Sequence, residues 1–146
     1  MKEDVRLHIS GVRSTYTGNE FDNEDISVMV SGKYEFVDGV HKISYEEIMD
    51  EVDDIINNTI YIDDAGMKIK KKGATNSLMN FSKNENSTST KYSTPYGDIF
   101  MRLSTHSIDI KEDEDRIIVD VDYSLSIEDE LLSSSIIRKE SLYQWG

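Results

Sequence analysis

Residues 26–47 read ISVMVSGKYEFVDGVHKISYEE. Ile26, Val28, Val30, Gly32, Tyr34 and Phe36 occupy every even position, with Ser27, Met29, Ser31, Lys33 and Glu35 between them. A period of two is the mark of a half-buried β-strand. Asp38-Gly39 follows, a two-residue hairpin signal, because both central positions of a type I′ turn need φ > 0. Val37 then pairs with Val40, Tyr34 with Ile43, Gly32 with Tyr45 and Val30 with Glu47. Glu35 faces Lys42 on the other side.

The same period recurs outward from this hairpin. Ile117, Val119, Val121, Tyr123 and Leu125 alternate with polar residues, and Val5, Leu7 and Ile9 do so more briefly. Weaker alternation covers 41–47, 55–62, 67–72, 77–82, 87–93 and 98–111. Turn chemistry separates the runs: Asp63-Asp64-Ala65-Gly66, Thr94-Pro95-Tyr96-Gly97 and Glu112-Asp113-Glu114-Asp115. Helix is nearly absent. Residues 46–56 hold helix formers but a poor apolar stripe, 127–133 read as a loop or one helical turn, and 134–144 read as a last strand. The expectation is one all-β domain over 1–146, an antiparallel barrel of about eight to ten strands.

The turns also set facing. With Pro95 at a hairpin corner, Tyr92 faces Ile99, Thr90 faces Met101 and Thr88 faces Leu103. The acidic turn at 112–115 pairs Ile110 with Ile117, Ile108 with Val119 and His106 with Val121. Inward parity is then odd at 99–103 and even at 106–110, so a β-bulge is expected near Ser104-Thr105. The inner face includes Tyr45, Glu47, Thr88, Thr90, Tyr92 and His106. Polar groups there need hydrogen bonds. They are either satisfied core groups or the wall of a partly polar site for a small ligand.

Composition narrows the function classes. The 146 residues carry 29 acids and 16 bases, a net charge of −13. Such a field repels a phosphate backbone, so no general nucleic-acid binding is expected. No cysteine is present, which excludes disulfides and thiolate sites. His8, His41 and His106 lack metal-ligand spacing, the acidic clusters lack the EF-hand pattern, and neither GxSxG, GxGxxG nor a P-loop occurs. No metal, cofactor or catalytic set is expected. No apolar run approaches the ~18 residues of a membrane span, and no signal segment is visible, so the expected location is cytoplasmic. Charge is uneven, however. Residues 67–111 hold eight bases and three acids. Lys68, Lys70, Lys72, Lys91 and Arg102 are expected on the outer face, which could be plain solvated surface or dock an acidic partner or a nucleotide.

Tyr34-Glu35-Phe36 with Ile43-Ser44-Tyr45-Glu46-Glu47, Lys72-Gly73, Met79-Asn80-Phe81, Tyr92-Ser93-Thr94-Pro95-Tyr96-Gly97 and Asp122-Tyr123-Ser124-Leu125 appear in this order. Together they resemble the YwiB-like proteins, the bacterial domain of unknown function 1934. The resemblance runs from about residue 3 to 143, and the Tyr-x-Thr-Pro-Tyr-Gly piece is its most specific part. Residues 127–133 are longer and more acidic than the family pattern. The resemblance implies a small cytoplasmic barrel of the lipocalin-like, calycin type, without an established activity. The function expected is a non-catalytic module holding a small ligand in the barrel lumen. The alternative is a filled barrel that serves a structural or interaction role, including as a homodimer.

Overall fold

The computed structural model describes residues 3–17, 20–49, 54–73, 76–85, 87–94, 97–114, 116–127, 130–135 and 144–145. They form eleven strands and no helix: β1 (Glu3–Thr17), β2 (Glu20–Val37), β3 (Val40–Met49), β4 (Asp54–Asp63), β5 (Gly66–Lys72), β6 (Ser77–Ser82), β7 (Ser87–Thr94), β8 (Gly97–Glu112), β9 (Ile117–Ile127), β10 (Glu130–Ser135) and β11 (Gln144–Trp145). All pairings are antiparallel, in the order β6-β5-β4-β3-β2-β1-β10-β9-β8-β7, with β11 on β1. The segments 46–49 and 54–56, rich in helix formers, are strand, and so is 130–135.

The ladder does not close into a full barrel. Across the β6–β7 seam one backbone bridge joins Asn76 and Ser93, at 2.9 and 2.8 Å. Beyond it, the Thr88 hydroxyl donates to the Asn80 carbonyl and the Thr90 hydroxyl to the Leu78 carbonyl. Side chains thus replace ladder bonds between two strand edges, which would otherwise invite other strands. Thr90→Val should leave the Leu78 carbonyl without this donor and cost about 1–3 kcal/mol. An unchanged urea midpoint would show that the seam holds without it.

The Asp38-Gly39 turn has φ of +53° and +80°, and the ladder from Val37↔Val40 to Lys33↔Ser44 follows it as expected. There the β2–β3 pairing ends. Gly32 pairs only with Val5, Val30 with Leu7, and Glu47 with Ile56 on β4, so the expected Gly32–Tyr45 and Val30–Glu47 pairs are not formed. The departure sits at Gly32: a Cβ there would lie 2.7 Å from the Ser44 carbonyl oxygen. Glycine lets β3 cross close over β2 before the two strands part.

Two further registers matter. The Thr94–Gly97 hairpin pairs Thr88 with Leu103, Thr90 with Met101 and Tyr92 with Ile99, as expected, while Pro95 and Tyr96 lie outside the described residues. The acidic turn is two residues looser than expected. Ile110 pairs with Val119 and Ile108 with Val121, and Asp113 N–H donates to the Arg116 carbonyl. A shift of two preserves facing. The bulge falls between Thr105 and Ser107.

The core is one apolar cluster drawn from both halves of the sheet, including Leu7, Ile43, Ile60, Met67, Phe81, Leu103, Val119 and Val121. Val30 and Tyr34 are half-buried against it, and Phe36 is exposed. Lys33 is exposed, whereas Glu35, Lys42, Asp120 and Asp122 are only half-exposed.

Candidate functional site

Where β2 and β3 part, a cleft of about 780 Å³ opens between Ser31–Lys33 on one side and Ser44, Tyr45, Glu46 and Ile48 with Asn57–Thr59 on the other. Its floor comes from strand parity. Residues 43, 45 and 47 of β3 and 56, 58, 60 and 62 of β4 share the inner face. Tyr45, Asn58 and Lys71 therefore stand in one row across β3, β4 and β5. Asn58 is 1% exposed. Its amide nitrogen donates to Glu47 Oε1 at 3.4 Å and, weakly, to the Ile56 carbonyl at 3.5 Å. Its Oδ1 is buried with no hydrogen-bond partner. A buried acceptor left unmade costs about 1–3 kcal/mol, so it is an uncommon feature of a folded chain.

Glu47 lies at the open end of this row. Its Oε1 also takes a 3.3 Å contact from Lys71 Nζ, and its side chain is 47% exposed. Water screens such a pair, so it positions the carboxylate more than it stabilises the fold. Tyr45 is different. Burial, and then the Glu47 charge, push its phenol up to about 12. The unfolded chain, with an ordinary value near 10, releases this proton first. The stability tied to the neutral phenol is thus intact below pH 10 and is lost as pH rises through about 12. Ultraviolet titration should show one phenolate forming near pH 12; a component at that pH that survives in Tyr45→Phe would refute the assignment.

At the opposite end of β3, Tyr34 O–H donates to His41 Nδ1 at 2.7 Å, and His41 Nε2 lies 3.2 Å from Glu112 Oε1. This arrangement suits an imidazole that carries its proton on Nε2. His41 is buried against the rings of Tyr34 and Phe36. Burial, then the charges of Glu112 and Glu3, raise the Tyr34 phenol. The relay ties β3 to β8 across the end of the sheet.

Residues 8–138 match the model of the family described as domain of unknown function DUF1934. The chain belongs to this family. Its fold is that of the crystal structure of the ywiB protein from Bacillus subtilis, with a TM-score of 0.79 at 19% identity, covering 99% of this chain and 93% of that one. No curated protein matches the chain. No helix among the described residues is long and apolar enough to cross a membrane. No group of three or more His, Cys, Asp or Glu among them could hold a metal ion.

Within this DUF1934 chain the expected inner-face residues scatter. Tyr45 lines the cleft, and Glu47 stands next to it, bonded to Asn58 of the cleft wall. Thr88 and Thr90 are spent on the β6–β7 seam. Tyr92 has its expected ladder partner, but its side chain lies outside what is described. His106 is corrected. It is the extra residue of the bulge, exposed on the outer face with Nε2 3.2 Å from Ser124 Oγ. The bulge comes one residue later than expected, so Thr105 takes the inward place. Of the basic residues, Lys70, Lys72 and Lys91 gather around one depression, while Lys68 borders another beside Asn80 and Arg102 stands exposed on β8. Sequence reading missed Asn58, although it breaks the isoleucine parity of 56, 60 and 62. It also missed the His41 relay, whose partners are remote in sequence.

Proposed function

We propose that this chain is a non-catalytic, cytoplasmic binding module that takes a small, partly polar ligand in the β2–β3 cleft. The observation that supports this reading most is the unpartnered Asn58 Oδ1 at the cleft floor. An unpartnered acceptor on a residue that lines the cleft is a candidate partner for a ligand N–H or O–H. Ile48, 72% exposed, offers apolar contact at the rim. Tyr45 keeps its proton at neutral pH, and Glu47 is tied to Lys71 and Asn58, which suits orienting a ligand rather than moving protons. The site is thus a gap in the wall of a lipocalin-like fold, not a central lumen.

Native mass spectrometry of protein purified from its own host tests this. The expected spectrum shows a retained small molecule, lost in Asn58→Leu. That variant removes the orphan acceptor and should keep or raise stability. A bare wild-type protein, or an adduct that survives in Asn58→Leu, would overturn the reading. The second reading, an interaction module, draws on the exposed cross-strand pair Ile48 and Ile55. It predicts a dimer peak in the same spectrum that Ile48→Ser removes.

A further inference from the structure

The outer face of β5 carries Lys70 and Lys72, because Met67 and Ile69 are buried on the inner one. β7 contributes Lys91 across the narrow β6. A depression of about 420 Å³ lies over these strands, bordered by Lys70, Lys71, Lys72, Lys91 and Ser77 and by no acidic side chain. Lys71 and Lys91 each contact one carboxylate, Glu47 and Asp98, both at 3.3 Å. Among the described residues, Lys70 and Lys72 have no carboxylate in ion-pair range. Leu78, paired with Lys70 and 49% exposed, is the side chain of β6 that faces the depression between β5 and β7. Ser77 pairs with Lys71 and is buried on the inner side.

The frame around these groups is set. Asn76 accepts from Gly73 N–H and donates to the Gly73 carbonyl, both at 3.3 Å. Its backbone is bridged to Ser93. The corner that places Lys72 beside Ser77 is therefore held from two sides. The three ammonium groups of Lys70, Lys72 and Lys91 around one hollow repel each other, and in a chain of net charge −13 their neighbourhood is locally inverted.

We propose that this depression is an anion site for a small phosphate-bearing ligand. Lys70 and Lys72 supply the free charge, and Lys91 adds a third ammonium from β7. Ammonium groups bind phosphate as point charges without demanding one geometry. Three of them suit a ligand with at least two negative charges. A long polyanion would run off the depression onto an acidic surface, which favours a compact ligand over nucleic acid. The site is separate from the β2–β3 cleft and stands without it.

Calorimetric titration of the full chain with inorganic pyrophosphate at low salt tests this, since salt screens such contacts. The wild type should bind one equivalent. Lys70→Ala and Lys72→Ala should each weaken binding about tenfold, the loss of one charge-assisted bond. Ser77→Ala, at a hydroxyl on the inner side of β6, should leave affinity unchanged. Lys68→Ala removes a lysine from the same face of the same strand but outside the depression, and should change affinity less than about twofold. Asn58→Leu should leave it unchanged, which keeps this outcome independent of the cleft. The lysines are at the surface, so an unchanged urea midpoint confirms that these variants fold. Absence of saturable binding by the wild type would overturn the site. So would an equal loss in Lys68→Ala, which would mean a diffuse field, or tighter binding of a single-stranded oligonucleotide through the same lysines.

Discussion

Gly66→Ala should destabilise the chain by about 2–5 kcal/mol, a large share of the ~5–15 kcal/mol that holds a domain folded. Gly66 opens β5 after the Asp63–Ala65 corner with a φ of +143°. A Cβ there would lie 2.0 Å from the Phe81 carbonyl oxygen and 3.1 Å from its carbon. Both atoms are backbone of β6, so no rotamer change relieves the overlap. The strand edge itself must move, and Gly66 pairs with Ser82 in that ladder. Gly39→Ala is the control. Gly39 has a φ of +80° but nothing within 4 Å, so it should show only the left-handed backbone cost of about 1–2 kcal/mol. Urea midpoints separate the two effects. Equal losses in the two variants would mean that the clash is absorbed and backbone conformation alone matters.

Phe81→Ala should cost about 3–5 kcal/mol. Phe81 is fully buried and meets the Tyr123 ring edge-on, with centroids 4.8 Å apart at 69°. That contact joins β6 to β9, which are far apart along the sheet, so it holds together two halves whose edges share few backbone bonds. Truncation leaves a cavity that strands on both sides border and cannot readily collapse into. Phe100→Ala, at a side chain 67% exposed, should change stability by less than about 0.5 kcal/mol. Thermal unfolding compares them. A loss near that of Phe100→Ala would place Phe81 outside the cooperative core.

Where one strand face is buried and the other wet, alternation alone located the elements. The runs at 117–125 and 55–62 show this, and Val119, Val121, Ile60 and Ile62 are buried as the period requires. The Asp38-Gly39 hairpin was equally plain, because turn stereochemistry is a local property. The long extensions of β1 and β2 were not plain. Their ladder runs from Glu3↔Tyr34 to Thr17↔Glu20, well past the last strong apolar alternation. Backbone pairing needs no apolar side chain, so nothing in the pattern marks where it stops.

Local chemistry also set the composition of the candidate sites: the acidic balance, the lysines of β5 and the tyrosine and glutamate of β3 are all legible as residue types on known faces. What they meet was decided elsewhere. Glu47 was expected opposite Val30, and the parting of β2 from β3 at Gly32 placed it beside Asn58 and Lys71 instead. His106 was turned outward by a bulge one residue from its expected place. Thr88 and Thr90 met β6 because the two ends of a ten-strand path came back together. The sequence by itself thus determined strand faces, the main hairpins and the charge of each face, since these follow from periods of two and from turn geometry. Only the tertiary structure decided which strands part, which edges meet and which polar groups are left unpartnered, since these depend on contacts between residues that no local pattern links.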